Sequence, residues 1–118
     1  MSSLEIKNMS KPDELRTLPK TKGEVVKLGE HTIMRGTMEP GWKWSECVKP
    51  TVGTQSCQVN HTIYVISGRM RVKMNDGTEK EAGPGDACVI PPGHDAWVVG
   101  NEPCLSIDFT GGATYGKK

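Results

Sequence analysis

The clearest metal-binding chemistry in this sequence belongs to Cys57 and His61, which stand four positions apart in an apolar segment. On a straight strand their side chains share one face but are separated by about 13 Å, at roughly 3.3 Å per residue. One ion cannot bridge that distance, so joint ligation requires a bend or bulge between the two residues. A thiolate with an imidazole suits zinc, iron or copper better than magnesium or calcium.

The same residue types also have an ordinary structural interpretation. Free cysteine is among the most buried residue types, so Cys57, Cys88 and Cys104 taken alone are expected to pack in a core. His61 in an apolar strand fits a hydrogen-bonded core histidine. His94 follows a Pro-Pro-Gly turn, where it fits a loop cap as well as a pocket residue.

Short strands are the elements that must position these side chains, because 14 glycines and 8 prolines divide the chain into short pieces. After Gly68, Met70 and Val72 alternate with Arg69 and Arg71, which is typical of a half-buried strand. Strands are expected over residues 24–28, 32–38, 57–67, 69–74, 79–81, 87–90, 97–99 and 104–109. Eight or nine short strands with no helical stretch predict an all-β sandwich or closed barrel.

The 118 residues provide one domain. Residues 1–22 are mostly polar and show no periodicity, which predicts an N-terminal arm that crosses a partner subunit or lies on the barrel. Residues 23–118 are then the barrel domain. An exposed sheet edge that needs cover, together with this arm, favours a homodimer.

Charge and hydropathy exclude two classes of partner. The formal net charge is +1, and no basic stretch in the chain is longer than the C-terminal Lys117-Lys118. A nucleic-acid partner is not expected, because binding to phosphates needs a concentrated basic face. No apolar run approaches the roughly 20 residues that cross a bilayer, and the first residues lack the apolar centre of a signal peptide. We therefore expect no membrane partner and a cytoplasmic protein whose cysteines are free thiols.

Two segments, residues 55–68 and 85–93, resemble the two motifs of the cupin superfamily. Those motifs run H-x-H-x3-E-x6-G and G-x5-P-x-G-x2-H. Their glycines and the proline stand at the expected spacings here, as Gly68, Gly85, Pro91 and Gly93. The resemblance implies an all-β fold, namely an antiparallel jelly-roll (cupin) β-barrel.

The resemblance also implies metal-ligand positions, and in this chain those positions hold residues other than the usual three histidines and one glutamate. The two histidines of the first motif fall on Gln55 and Cys57, and its glutamate falls on His61. The histidine of the second motif falls on Ala96, and His94 shares the face of Ala96 in an extended segment. The predicted metal ligands are therefore His61, His94, Cys57 and Gln55. The expected cofactor is a transition-metal ion, with zinc, iron, manganese, nickel and copper not distinguished.

Three functions fit this prediction. The first is a metal-dependent enzyme that acts on a small organic molecule, with the ion as Lewis acid or oxygen activator. The second is a metal-free ligand-binding or sensory barrel without catalysis, which the altered ligand positions fit equally well. The third is a purely structural dimer module. The fold does not choose between them, because one barrel architecture carries many unrelated functions.

Overall fold

The computed structural model describes residues 4–111. In chain order the elements are β1 (Glu14–Leu18), β2 (Thr21–Leu28), β3 (His31–Met38), α1 (Trp44–Cys47), α2 (Lys49–Val52), β4 (His61–Ser67), β5 (Arg69–Met74), β6 (Glu79–Ala82), β7 (Ala87–Ile90), β8 (His94–Val99) and β9 (Cys104–Asp108). Strands dominate, as the sequence predicts. No helix in the described part of the chain is long and apolar enough to span a membrane.

The strands form two antiparallel sheets. The larger has the order β1-β2-β3-β9-β4-β7 and the smaller has the order β6-β5-β8. The chain passes from the larger sheet to the smaller at Gly68, whose φ is 76°. A Cβ there would lie 2.1 Å from the carbonyl oxygen of Pro103, so only glycine permits this crossing.

The core lies between the two sheets because each strand buries alternate side chains. Val25 and Val65 contribute to it from the larger sheet, and Met70 and Val98 contribute from the smaller sheet. This burial confirms the alternation predicted for β4 and β5 and defines the space in which a site can form.

The segment between β3 and β4 is helical rather than extended. The two helices, α1 and α2, have four residues each. Pro50 lies in the first turn of α2, and Gly53, whose φ is 81°, caps its C-terminal end. Trp42 and Trp44 are 3% and 2% exposed. Apolar burial therefore fixes this segment although its sequence shows no helical periodicity.

The structure places part of the expected N-terminal arm inside the larger sheet. Strand β1 pairs with β2 over its whole length, and β2 begins at Thr21, so the expected boundary at residue 23 falls within a strand. Only Leu15 and Leu18 are apolar in β1, so its sequence lacks the alternation of apolar and polar residues that predicts a strand. Backbone hydrogen bonds to β2 form this edge strand without such a pattern.

Candidate metal centre

A backbone bridge brings Cys57 and His94 together. The N–H of Cys57 donates to the carbonyl oxygen of His94 at 2.7 Å, and the N–H of Gly93 donates to the carbonyl oxygen of Cys57 at 2.7 Å. Residues directly opposite each other in an antiparallel pair project their side chains to the same side. Both side chains are buried, with 2% and 3% of the residue surface exposed.

The chain bends between Cys57 and His61, as joint ligation requires. Residues 58–60 are not in a strand, and β4 begins at His61. The distance from Cys57 Sγ to His61 Nε2 is 3.7 Å. His61 is itself buried and shares its parity with Ile63 and Val65, which are buried too.

The resulting cluster has the dimensions of a metal site. One ligand atom from each of Cys57, His61 and His94 lies within 4.8 Å of the other two. Zinc bonds of about 2.0 to 2.3 Å in tetrahedral geometry place ligand atoms roughly 3.3 to 3.8 Å apart. The three side chains therefore fit one ion after shifts of about 1 Å or less.

Hydrogen bonds fix the rings of both histidines. Nδ1–H of His61 donates to Oδ2 of Asp108 at 2.5 Å, and Nδ1–H of His94 donates to the carbonyl oxygen of Pro91 at 2.6 Å. A carbonyl and a carboxylate only accept, so each Nδ1 carries the hydrogen and Nε2 is the remaining ligand atom. Metal-binding histidines in proteins are oriented by such acceptors.

Asp108 is a site residue that the sequence analysis missed. It stands opposite Ile63 in the β4–β9 register, which makes it a diagonal neighbour of His61. Its Oδ1 accepts hydrogen bonds from the backbone N–H groups of Thr110 and Gly111, at 3.0 and 2.8 Å. A Cβ at Gly111 would lie 2.6 Å from Nδ1 of His61, so this glycine leaves room for the contact.

The alternation of β9 gives no signal for Asp108 in the sequence. Its inward-facing residues Cys104, Ser106 and Asp108 are buried, whereas Leu105 and Ile107 are only half-buried. The less apolar parity therefore faces the core. Asp108 tolerates this burial because His61 and the backbone N–H groups of Thr110 and Gly111 hydrogen-bond its carboxylate, whereas an unpartnered buried carboxylate is costly.

Hydrogen bonds within the cluster shift the pKa values of Cys57 and His61 in opposite directions. Burial disfavours a thiolate, but hydrogen bonds from His61 and His94 outweigh it and lower the pKa of Cys57 to about 6. Burial also disfavours an imidazolium, but hydrogen bonds to Asp108 and Cys57 outweigh it and raise the pKa of His61 to about 9. Without an ion at neutral pH, Cys57 is therefore a thiolate and His61 carries the second proton.

The other predicted ligand, Gln55, lies in a different environment. It is exposed, and its Oε1 accepts a hydrogen bond from Nζ of Lys49 at 3.1 Å. The structure thus brings three of the four candidates together and places Gln55 on the surface. His31, the first residue of β3, is exposed.

A small cavity of about 50 Å³, the inner cavity, adjoins the cluster. Its walls include Trp42, His61, Met70, Ile90, His94 and Asp108. The indole N–H of Trp42 is buried and has no hydrogen-bond acceptor in residues 4–111. The wall of the inner cavity thus combines Trp42, whose N–H lacks a partner, with the histidines of the cluster, His61 and His94.

The sequence matches the cupin-domain family over residues 48–109, more than half of the chain. The chain belongs to this family. Comparison with curated protein sequences gives no match.

Solved structures with the same fold include three that overlap most of this chain. A Rhizobium leguminosarum bv. viciae protein of unknown function is 23% identical, with a TM-score of 0.67, over 92% of this chain and 97% of that one. KdgF from Halomonas sp. is 20% identical, with a TM-score of 0.61, over 93% and 94%. The polyketide cyclase RemF from Streptomyces resistomycificus is 18% identical, with a TM-score of 0.64, over 92% and 79%. At these identities the similarity shows the fold alone.

Proposed function

We propose that this cupin binds one transition-metal ion through Cys57, His61 and His94 and presents it to a small organic molecule. The observation that carries the proposal is the orientation of the two histidines. Each has its Nδ1–H bound to an acceptor, while the cluster's ligand atoms lie within 4.8 Å of one another. A purely structural histidine pair needs no such convergence with a thiol.

The ligand set supports a site that acts on a bound molecule. Three protein ligands leave a coordination position open, as in catalytic rather than structural metal sites. An ion held there would act as a Lewis acid toward an oxygen atom of the bound molecule. Trp42 supplies a second contact, because its buried N–H, which costs about 1 to 3 kcal/mol unpaired, can donate to that molecule.

The size of the inner cavity limits what reaches the ion. About 50 Å³ compares with the roughly 30 Å³ that one water molecule occupies in the liquid. Only a small polar group, such as a carbonyl or hydroxyl, fits beside the three ligands. We infer that the reacting part of the molecule is compact.

We also propose that the two sheets close into a jelly-roll barrel and that the protein is a homodimer. Membership of the cupin family and the two antiparallel sheets support closure into a jelly-roll barrel. Exposed Tyr64, Ile66 and Phe109 support a homodimer, because exposed apolar patches often mark interfaces. Light scattering at micromolar concentration tests the dimer, and a 12.9 kDa monomer contradicts it.

Metal analysis of protein purified without a histidine tag tests the proposed site. We expect about one transition-metal ion per chain, and after exchange with Co²⁺ a thiolate-to-cobalt charge-transfer band. Cys57→Ser should abolish that band, whereas Cys88→Ser is the matched control and should retain it. Protein that binds no transition metal at any pH contradicts the proposal.

A second candidate function, covalent catalysis by a cysteine nucleophile, rests on the spatial arrangement of Cys57, His61 and Asp108. A thiol 3.7 Å from an imidazole that a carboxylate orients is the arrangement of a cysteine nucleophile. Metal-free protein whose Cys57 is alkylated rapidly by iodoacetamide, with the rate lost in Asp108→Asn, would favour this function. A stoichiometric ion bound at Cys57 excludes it.

A further inference from the structure

A second and larger cavity lies between strands β6 and β7. Strand β6 is an edge strand of the smaller sheet and β7 is an edge strand of the larger sheet. The two strands do not pair with each other, although residues 83–86 connect them directly. The space between them measures about 580 Å³, within the roughly 300 to 1,000 Å³ of small-molecule sites. This outer cavity is lined by side chains that include Val72, Met74, Lys80, Ala82, Cys88 and Ile90.

Small and apolar side chains keep the outer cavity open. Ala82 from β6 and Cys88 from β7 face it from opposite sides, and neither is long enough to fill it. Val72 and Ile90 add branched apolar surface to the walls. The inner cavity, by contrast, has Trp42 in its wall. The outer cavity therefore suits the apolar body of an organic molecule.

One cation faces this apolar space. Lys80 pairs with Val72 in the β5–β6 register, so both side chains lie on the face of the smaller sheet that lines the cavity. No carboxylate in the described part of the chain lies within 4.0 Å of its ammonium group. Lys80 is thus available to an anion.

The acidic residues of this region are already engaged. Glu81 and Asp86 both belong to the cavity lining. Glu81 accepts hydrogen bonds from Arg69 at 2.7 Å and from Arg71 at 3.4 Å, so arginines offset its charge. Asp86, in the connecting turn, accepts from the backbone N–H of Gly83 at 2.7 Å. Lys80 is therefore the ionic side chain of this lining for which residues 4–111 show no ion pair or hydrogen bond.

We propose that the outer cavity binds a small organic carboxylate with an apolar body. The hydrocarbon part lies between Val72 and Ile90, and the carboxylate lies at Lys80. This site is distinct from the metal centre and does not depend on it. Ile90 lines both cavities, so a molecule bound in the outer cavity lies against the wall of the inner one.

Calorimetry with four probes tests the proposed chemistry. Octanoate has both features, octan-1-ol lacks the charge, octylamine reverses it, and acetate lacks the apolar body. Octanoate should bind about three- to fivefold more tightly than octan-1-ol, as expected for an exposed charge pair. Octylamine and acetate should bind more weakly than either. Equal affinity for octanoate and octan-1-ol overturns the assignment of an anion.

Two lysine variants locate the charge. Lys80→Gln should lower octanoate affinity to that of octan-1-ol and leave the affinity of octan-1-ol unchanged. Lys73→Gln is the matched control. Lys73 is exposed, stands opposite Glu79 in the β5–β6 register, and lies on the other face of the same sheet. An equal loss in both variants overturns the role of Lys80.

Cys88 provides a readout of occupancy in the unmodified protein. Its thiol is partly buried in the cavity wall, so octanoate should slow its alkylation by iodoacetamide, followed for each cysteine by mass spectrometry. Cys88→Leu should narrow the cavity and lower octanoate affinity while the protein still unfolds cooperatively. Unchanged alkylation, or wild-type octanoate affinity in Cys88→Leu, overturns the location.

The same titration separates this inference from the proposed metal site. Chelator-treated protein should bind octanoate with the affinity of the untreated protein. Octanoate binding to a protein that takes up no metal contradicts only the metal centre. A metal-loaded protein that binds none of the four probes contradicts only the outer cavity.

Discussion

The inner and outer cavities differ in how their walls are held. Around the inner cavity strands pair directly, and His61, His94 and Asp108 each have a fixed hydrogen-bond partner. Around the outer cavity two unpaired strand edges face each other across small side chains. Backbone pairing thus produces a compact site whose polar groups are held in place, and its interruption between β6 and β7 leaves an open cavity.

Ile90 is the residue through which this contrast can be tested. It pairs with His61 in the β4–β7 register and lines both cavities. Its side chain is 6% exposed. Substitutions on either side of this wall should therefore affect metal binding and stability in different proportions.

The largest effect is expected from His94→Ala. Removing one of three ligands should reduce metal content from about one ion per chain to a background level, a greater loss than the roughly 10- to 100-fold affinity change from an outer-sphere substitution. His31→Ala is the matched control, because His31 is exposed. Metal analysis of untagged protein measures both. Full metal content in His94→Ala would remove this residue from the site.

Ile90→Ala should have the next largest effect, by breaking the wall between the cavities. Loss of this buried side chain should lower the free energy of unfolding by about 2 to 5 kcal/mol, measured by urea denaturation. Val89→Ala, at a position 70% exposed, should change it by less than about 0.5 kcal/mol.

The joined cavities give Ile90→Ala a second readout. Octanoate should perturb the visible spectrum of the Co²⁺-loaded variant more strongly than that of the Co²⁺-loaded wild type. Identical spectral responses would show that Ile90 does not separate the two cavities.

Asp108→Asn should weaken metal binding without removing a ligand. We expect a roughly 10- to 100-fold loss of affinity, because Asp108 orients His61. Titration of metal-free protein with Zn²⁺ against a competing chelator measures it. An unchanged affinity would make the contact with His61 purely structural.

The pH dependence of metal binding should follow His61. Its pKa is raised to about 9, so below that pH an ion must displace a proton from Nε2, and affinity should rise as pH rises toward 9. At pH 7 about one proton should be released per ion. Calorimetry in buffers of different ionisation enthalpy measures this release, and no release at pH 7 would contradict the assignment of the proton to His61.

Cys88→Ser should have the smallest effect of the series. Cys88 is partly buried and lies in the outer cavity wall, where burial raises the pKa of its thiol. We expect less than about 1 kcal/mol change in the free energy of unfolding and unchanged metal content, in contrast to Cys57→Ser. Metal loss in Cys88→Ser would show that the two regions are not independent.

The sequence by itself determined the strand class and much of the core. Alternation in β4 and β5 has a period of two, which is a local property, so the burial of Ile63, Val65 and Met70 follows from it. The glycine and proline spacings point to the cupin family, which the match over residues 48–109 confirms. The same parity places His61 on the inner face.

Tertiary structure decided which polar residues meet. The bend after Cys57 and its bridge to His94 depend on backbone pairing between distant segments, and this pairing excludes the neighbouring Gln55. Asp108 lies 47 positions from His61, on the less apolar parity of its strand. Register between strands is a long-range property, so no local pattern in the sequence reveals that contact.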